Sequence, residues 1–259
     1  MQIPTLVAHR GYASNFPENT LEGIEAAILA GACMVEIDIQ CTADGIPVLI
    51  HDETLDRTSR DSGNILQMKF ERVRMLSAGE PERFGQQFSP VRIPSLQDFV
   101  ALMQKWPRVK AMVEIKEESL NAFGIPYVMD QVDAVMGPVK ERCTIVSYSI
   151  DAREYAIDKH AFPVGWVLTT WDAASCEQAH TLNPEFIISN HTKIPEDVVT
   201  LWVGPWQWVL YEVIDPELAL DLAELGADYI ETMAIREMLE DPDLRRKGCF
   251  ALENISNKV

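Results

Sequence analysis

The sequence predicts an α/β protein whose eight parallel strands close into a (β/α)8 (TIM) barrel, with a small insertion after the second strand. Short β-branched runs alternate with stretches of helical period, which is typical of βαβ units and a parallel sheet. The 259 residues are near the usual length of such a barrel. The turn after the first strand reads His9-Arg10-Gly11-Tyr12, without the glycine-rich phosphate loop of an open, doubly wound sheet. The closed barrel is therefore favoured.

Eight strands are predicted from apolar, β-branched runs bounded by turn residues. They cover residues 5–10, 34–40, 111–116, 143–149, 163–168, 186–191, 208–214 and 228–232. Eight is the number of strands that a barrel of this class needs.

A helix is predicted after each strand from apolar residues that recur at helical spacing. The helical stretches cover residues 20–30, 96–104, 121–136, 152–160, 173–181, 196–202, 216–225 and 235–239. Ser95 and Asp151 precede two of these stretches as N-cap residues, and Pro195 and Pro216 stand at first turns.

One segment departs from this alternation. Asp44-Gly45 predicts a turn after the second strand, and the apolar run 47–50 then leads to His51-Asp52. Residues 53–94 are polar, irregular and rich in arginine. A loop of this length usually has a function or forms a small subdomain. We interpret it as an insertion that leans over the barrel mouth, within a single catalytic domain that spans residues 1–259.

The charge balance limits the partners of the chain. Acidic residues outnumber basic residues by 40 to 22, which gives a formal net charge of −18. Such a chain repels phosphate backbones and anionic lipid, so neither nucleic acid nor stable membrane association is expected. No apolar run reaches the roughly 18 residues of a membrane-spanning helix. Residues 1–7 lack the features of a signal peptide, and we therefore expect a cytoplasmic protein.

The cysteines support the same compartment. Cys33, Cys41, Cys143, Cys176 and Cys249 form an odd, scattered set with no paired spacing. This pattern indicates reduced thiols that pack as small apolar side chains, as is usual in the cytosol.

Three of the predicted strands carry charges where parallel strands are normally apolar. Glu36 and Asp38 lie two residues apart and therefore share one face of the second strand. Glu114 and Lys116 share one face of the third strand, and the first strand ends in His9-Arg10. Each residue alone has an ordinary explanation, such as a simple ion pair or a core histidine. Because all of them lie near the carboxyl ends of strands, where barrels have their active sites, we expect them to lie together.

The chemistry of these charged residues and histidines indicates a reaction at phosphorus. Three carboxylates without cysteine or a third nearby histidine favour one Mg²⁺ or Ca²⁺ ion over zinc or copper. A cation is needed for the three negative charges to coexist at close range. Beside Arg10 and Lys116, this ion creates a positive pocket that suits phosphate. His9 and His51 supply a base and an acid near neutral pH, so the set predicts phosphodiester cleavage.

At these residues the sequence resembles the glycerophosphodiester phosphodiesterase family, in order and over almost the whole chain. The matching motifs are His9-Arg10-Gly11, Pro17-Glu18-Asn19-Thr20, Glu36-Ile37-Asp38, Asp44-Gly45-x-Pro47-Val48, His51-Asp52, Leu55-Asp56-Arg57-Thr58, Ile93-Pro94-Ser95-Leu96, Glu114-Ile115-Lys116, Ser147-Tyr148 and Gly226-Ala227-Asp228. The resemblance implies the same barrel with an insertion after its second strand. It also implies metal-dependent hydrolysis of glycerophosphodiesters, which are small molecules, to sn-glycerol 3-phosphate and an alcohol.

The resemblance assigns a role to each matching residue. It implies His9 and His51 as the catalytic pair, Glu36, Asp38 and Glu114 as the metal ligands, and Arg10 and Lys116 as the phosphate ligands.

Two strand ends differ from the family pattern. Tyr211-Glu212-Val213-Ile214 stands where the family usually has Trp-Thr-Val-Asn, and Thr232-Met233 where it has Thr-Asp. Tyr211 still offers an aromatic wall to a substrate pocket. Glu212 adds an acid at the rim, with the metal, a substrate hydroxyl, a cationic head group or solvent as its possible partner. The head-group preference and the oligomeric state therefore stay open.

The sequence does not decide which group attacks phosphorus, and it leaves two alternative functions open. Either the neighbouring glycerol hydroxyl or water attacks phosphorus; we favour the hydroxyl, which gives a cyclic phosphate while the histidines exchange base and acid roles. One alternative is a metal-dependent sugar isomerase or aldolase, which would lack the adjacent His-Arg and the Glu-x-Asp pair. The other is a non-enzymatic barrel that binds a phosphorylated metabolite, which would not require both histidines.

Overall fold

Eight parallel strands close into a barrel in the computed structural model, which describes residues 2–249. The strands, with one short antiparallel addition (β3), are β1 Thr5–Ala8, β2 Met34–Cys41, β3 Pro47–Leu49, β4 Lys110–Ile115, β5 Cys143–Ser147, β6 Val164–Val167, β7 Phe186–Asn190, β8 Gln207–Tyr211 and β9 Tyr229–Thr232. Strand β1 pairs in parallel with both β2 and β9, which closes the ring. The predicted (β/α)8 fold is confirmed, and each of the eight predicted strands is present.

The helices surround this ring. They are α1 Leu21–Ala30, α2 Phe70–Val73, α3 Pro81–Phe84, α4 Leu96–Lys105, α5 Glu117–Phe123, α6 Ile125–Met136, α7 Ile150–His160, α8 Ala173–Leu182, α9 Pro216–Leu225 and α10 Ile235–Met238. Short 3₁₀ turns cover Ile65–Gln67, Lys140–Arg142, His191–Lys193 and Leu244–Lys247. Among these described residues, no helix is both long and apolar enough to cross a bilayer.

Three helix predictions need correction. The helix predicted over 196–202 is wrong, because the connection from β7 to β8 has only the 3₁₀ turn His191–Lys193 within the described chain. Three successive β-branched residues at 198–200 disfavour a helix there, and Pro195 therefore starts none. The single helix predicted over 121–136 is divided at Gly124, which has a φ of +85°. Helix α7 is capped by Ser149 rather than Asp151.

Apolar side chains pack on both sides of the barrel wall. Residues such as Val35 and Ile37 point outwards from β2 and pack under the helices. The alternate residues point inwards, where Met34, Met112 and Phe186 form a separate cluster inside the ring. Side chains two residues apart in a strand point to the same face, so Glu36 and Asp38 point inwards like Met34. These polar residues lie nearer the carboxyl end of β2 than Met34 does.

The insertion begins with a hairpin and then folds over its own apolar cluster. Strand β3 pairs antiparallel with the end of β2. Residues 53–94 contribute Leu55, Ile65, Val73 and others to a cluster separate from the barrel core. The prediction of one domain with a small inserted subdomain stays a prediction.

Buried Glu80 ties this insertion to the β1–α1 loop. Its side chain accepts the Glu18 backbone N–H at 2.6 Å and pairs with Arg83 Nη1 at 2.6 Å. Glu80 itself has a φ of +44°, a conformation that a non-glycine residue adopts only at an energetic cost.

Two cysteines are paired, contrary to the prediction of five reduced thiols. Cys33 forms a disulfide with Cys249, 216 residues further along the chain. Cys41 and Cys143 are free and buried, and burial raises the pKa of each thiol to about 12. No spacing motif marks the pair, so the sequence pattern could not show it. The cysteines therefore no longer support a cytosolic location, which stays a prediction.

Candidate active site

A cavity of about 210 Å³ lies at the carboxyl ends of the barrel strands. It is lined by His9, Arg10, Glu36, His51, Glu114, Lys116, Val146, Tyr148, Val167, Ile188, Tyr211, Glu212 and Glu231. Asp38 lies buried behind this wall. The structure thus brings all the sequence-predicted site residues together around one cavity.

The turn after β1 positions the first two of them. Arg10 has a φ of +56° and Gly11 a φ of +83°. A Cβ on Gly11 would lie 2.7 Å from the carbonyl carbon of Gly23 in α1, so this close approach requires glycine. The tight turn directs the Arg10 backbone N–H to Glu36 Oε2 at 3.1 Å. It therefore orients a carboxylate as well as a guanidinium.

Glu36, Asp38 and Glu114 form a compact group of carboxylates. Strand register makes Asp38 the Cα partner of Glu114, and each residue offers an oxygen within 4.8 Å of those of the other two. Glu36 Oε1 is buried with no hydrogen-bond partner among the described residues. Three convergent oxygen donors, one of them unsatisfied, fit a hard divalent cation such as Mg²⁺ or Ca²⁺.

Two cations flank Asp38. Arg10 Nε lies 3.1 Å and Lys116 Nζ 3.4 Å from the carboxylate, and Asn19 Nδ2 donates to it at 2.8 Å. Burial opposes ionisation of Asp38, but the charges of Arg10 and Lys116 outweigh burial and lower its pKa. Asp38 is therefore anionic, with its charge fixed in place.

The pKa values of Glu36 and Glu114 shift in the opposite direction from that of Asp38. Burial, followed by the charge of Asp38, raises the pKa of both Glu36 and Glu114. Lys116 Nζ donates to Glu114 at 2.7 Å, which offsets only part of this effect. Arg10 and Lys116 therefore do not supply enough positive charge to keep all three carboxyl groups ionised.

His9 is held by burial rather than by hydrogen bonds. Its Nε2 lies 3.8 Å from Glu36 Oε2, and its buried Nδ1 has no hydrogen-bond partner in residues 2–249. Burial, followed by the positive charge of Arg10, lowers its pKa to about 3. The ring centroid lies 6.1 Å from that of Tyr211.

His51 is held by a chain of charged groups. Its Nδ1 lies 2.6 Å from Asp52 Oδ1, and because a carboxylate only accepts, Nδ1 carries the proton. Arg57 Nε donates to Asp52 Oδ2 at 2.7 Å, and its two terminal nitrogens each donate to Glu18 at 2.7 Å. Glu18 also accepts from Arg10 Nη1 at 3.2 Å. The insertion thus connects His51 with Arg10.

The far wall of the cavity is aromatic. The hydroxyl oxygens of Tyr148 and Tyr211 lie 3.2 Å apart. Glu212 has a φ of +66°, and its carboxylate accepts from Asn190 Nδ2 at 2.6 Å. Both residues predicted for the substrate pocket, Tyr211 and Glu212, therefore line the cavity.

Sequence reasoning missed four polar residues of this region. Glu18, Asp52 and Arg57 belong to motifs that resemble the family, but the sequence alone assigns no role to them. Glu231 was not singled out, although an acid inside the apolar strand 228–232 is the same signal that revealed Glu36. Burial, then the charges of Glu114 and Asp38, raises the pKa of Glu231 to about 8.

A family model for glycerophosphoryl diester phosphodiesterases matches residues 9–209, which is most of the chain. The chain belongs to this family. The resemblance inferred from its motifs is confirmed.

Curated relatives match this family member over part of their length. A segment of 94 residues is 46% identical to glycerophosphodiester phosphodiesterase 1 of Rattus norvegicus and covers 36% of this chain and 28% of the relative. A segment of 98 residues is 41% identical to a glycerophosphodiester phosphodiesterase of Caldanaerobacter subterraneus and covers 38% of this chain and 40% of that relative. The matches thus span less than half of either relative.

Solved structures match the whole barrel. A phosphodiesterase of Oleispira antarctica, in complex with the product sn-glycerol-3-phosphate, is 23% identical with a TM-score of 0.80, over 92% of this chain and 96% of that one. A putative glycerophosphoryl diester phosphodiesterase of Silicibacter pomeroyi is 18% identical with a TM-score of 0.81, over 96% and 95% of the two chains. At these identities the similarity establishes the fold.

Proposed function

We propose that this chain is a metal-dependent glycerophosphodiester phosphodiesterase that releases sn-glycerol 3-phosphate and an alcohol. The observation that carries the proposal is that His9 and His51 line the same cavity as Arg10, Lys116 and the acidic group. Family membership and the product bound in the Oleispira antarctica structure support the same substrate class. No comparable observation favours a sugar isomerase, an aldolase or a non-enzymatic binding protein.

Glu36, Asp38 and Glu114 would hold one Mg²⁺ or Ca²⁺ ion. When bound, this ion would polarise the phosphoryl oxygens and stabilise the negative charge that develops on them. Arg10 and Lys116 already lie beside Asp38, at 3.1 Å and 3.4 Å, and would bind the non-bridging oxygens of the phosphodiester.

The two histidines would move the protons. In the first step one imidazole takes the proton from the neighbouring glycerol hydroxyl, whose oxygen attacks phosphorus. The other imidazole gives a proton to the leaving alcohol oxygen, and a cyclic phosphate forms. In the second step the roles are exchanged: water is deprotonated and opens the ring, and the released glycerol oxygen is protonated.

Release of glycerol 3-phosphate from glycerophosphocholine and glycerophosphoethanolamine, measured in a coupled assay, tests the activity. We expect turnover that EDTA abolishes and that Mg²⁺ or Ca²⁺, but not monovalent salt, restores. Turnover unaffected by thorough metal removal would contradict the metal requirement, and absence of product with every head group would contradict the activity.

The cyclic route has its own test. ³¹P NMR during slow turnover should show a transient five-membered cyclic phosphate ester. Incorporation of ¹⁸O from labelled water without any such signal, under conditions in which added cyclic phosphate survives, would favour direct attack by water.

A further inference from the structure

Glu231 is a buried acid that the proposed mechanism does not use. It lies on β9, where Val7 of β1 is its Cα partner. Tyr229, two residues earlier, packs against the apolar cluster inside the barrel, so Glu231 shares the inward face. Only 4% of Glu231 is exposed, and it lines the cavity together with Glu36 and Glu114.

The Glu231 carboxylate has no partner in the part of the chain that the structure describes. Within residues 2–249 its side chain makes no hydrogen bond or ion pair, whereas the equally buried Asp38 pairs with Arg10 and Lys116. A buried carboxyl group can carry its negative charge at low cost only where it is paired or bound to metal. The side chain borders the cavity, so its missing partner belongs inside that cavity.

The charges around the cavity identify the kind of partner. Apart from the exposed Glu212, which Asn190 holds, four carboxyl groups, Glu36, Asp38, Glu114 and Glu231, face two cations, Arg10 and Lys116. With all four ionised, a divalent cation supplies the two missing positive charges. Glu231 does not belong to the group of Glu36, Asp38 and Glu114, whose oxygens lie within 4.8 Å of one another. We therefore place it outside the set of direct metal ligands. Mg²⁺ retains several waters in protein sites, and an outer carboxylate binds it through them.

We propose that Glu231 is the fourth carboxylate of the metal centre and holds the cation through water. The inference rests on the metal centre of the proposed function and adds to it a residue from the opposite side of β1. It predicts that Glu231 contributes to metal affinity and not only to the shape of the pocket.

Calorimetric titration of the EDTA-stripped full-length protein with Mg²⁺, and separately with Ca²⁺, tests this role. We expect Glu231→Gln to weaken metal binding by about 10- to 100-fold, as losses of outer-sphere ligands do. Glu117→Gln removes the same charge at the same end of the barrel, but Glu117 is exposed and does not line the cavity, so this control should keep the affinity within about threefold. Glu36→Gln should nearly abolish binding.

The outcomes separate the two proposals. If wild type binds the ions and Glu231→Gln binds them equally well, Glu231 is not part of the centre, and the proposed function is unaffected. A raised KM for the diester with unchanged metal affinity would mean that Glu231 contacts a substrate hydroxyl instead. If wild type binds neither ion, the metal centre and this inference both fail.

Thermal unfolding provides a readout that is independent of turnover. In EDTA, Glu231→Gln should melt close to the wild-type temperature, because the Glu231 side chain has no hydrogen bond or ion pair among residues 2–249 that the substitution would break. In saturating Mg²⁺ the variant should gain less in Tm than wild type does. A variant that is destabilised equally with and without metal would show a purely structural role and overturn the proposal.

Discussion

The two histidines of the site are positioned by different parts of the molecule. His9 ends a barrel strand, is 6% exposed, and has an Nδ1 without a hydrogen bond in the described chain. His51 lies at the start of the insertion, where Asp52 holds its Nδ1 at 2.6 Å and Arg57 holds Asp52. Packing therefore fixes one imidazole, whereas a chain of charges fixes the other. The first should tolerate changes in the insertion, and the second should not.

The largest effect should come from removing either imidazole. His9→Ala and His51→Ala should each lower kcat by about 100-fold or more, because general acid–base catalysis contributes about 10²- to 10⁴-fold. Initial rates of glycerol 3-phosphate release measure this loss. Circular dichroism and metal titration serve as controls and should match wild type. Near-normal turnover in either variant would refute its assigned role.

The next effect concerns the charges that hold His51. Arg57→Lys keeps the charge but cannot donate in fork geometry to Glu18 and also to Asp52. We expect kcat to fall by about 10-fold, which corresponds to about 1.4 kcal/mol and lies near the lower end of what hydrogen bonds to charged groups contribute. Arg60→Lys, an exposed arginine of the same insertion, is the matched control. Equal kcat values in the two variants would show that Arg57 does not position His51.

Glu18 connects the two regions and should affect stability. Its pKa is lowered because hydrogen bonds from Arg57 and the charge of Arg10 outweigh burial. Since the folded pKa lies below the unfolded value of about 4.3, this stabilisation is present above that value and declines as the pH falls. Glu18→Gln should lower the free energy of unfolding at pH 7 by about 1–3 kcal/mol, measured by urea denaturation. A difference from wild type that persists unchanged at pH 3 would contradict this assignment.

The smallest effect should come from the aromatic neighbour of His9. Tyr211→Phe keeps the ring beside His9 and loses only the contact with the Tyr148 hydroxyl. We expect a change in kcat/KM of about fivefold or less, because a neutral hydrogen bond contributes about 1 kcal/mol. A loss as large as that of His9→Ala would mean that the hydroxyl itself takes part in the reaction.

The sequence predicted the parts of the molecule that follow local periodicity. All eight barrel strands were predicted, and alternation placed Glu36 and Asp38 on one face because neighbouring side chains in a strand point in opposite directions. The helix over 196–202 was predicted wrongly, since β-branched residues outweighed a weak helical period. Local patterns decide such elements, so they can be judged from sequence.

Contacts between distant segments could not be predicted in the same way. Cys33 and Cys249 are 216 residues apart, and neither lies in a spacing motif. The bonds from Arg57 to Glu18 depend on how the insertion folds back over the barrel. Glu231 differs from these, because its position inside an apolar strand was visible and only its importance was overlooked.

The contact that Glu80 makes between the insertion and the β1–α1 loop has a consequence for proteolytic damage. Glu80 joins the insertion to the segment that carries Glu18, while the triad of carboxylates stands on β2 and β4. Under the proposed roles of these residues, a protease cut within residues 81–94 would disturb the support of His51 and leave the three carboxylates of β2 and β4 in place. We expect such nicked protein to bind divalent cations and to lose activity, which would distinguish damage to the insertion from damage to the barrel.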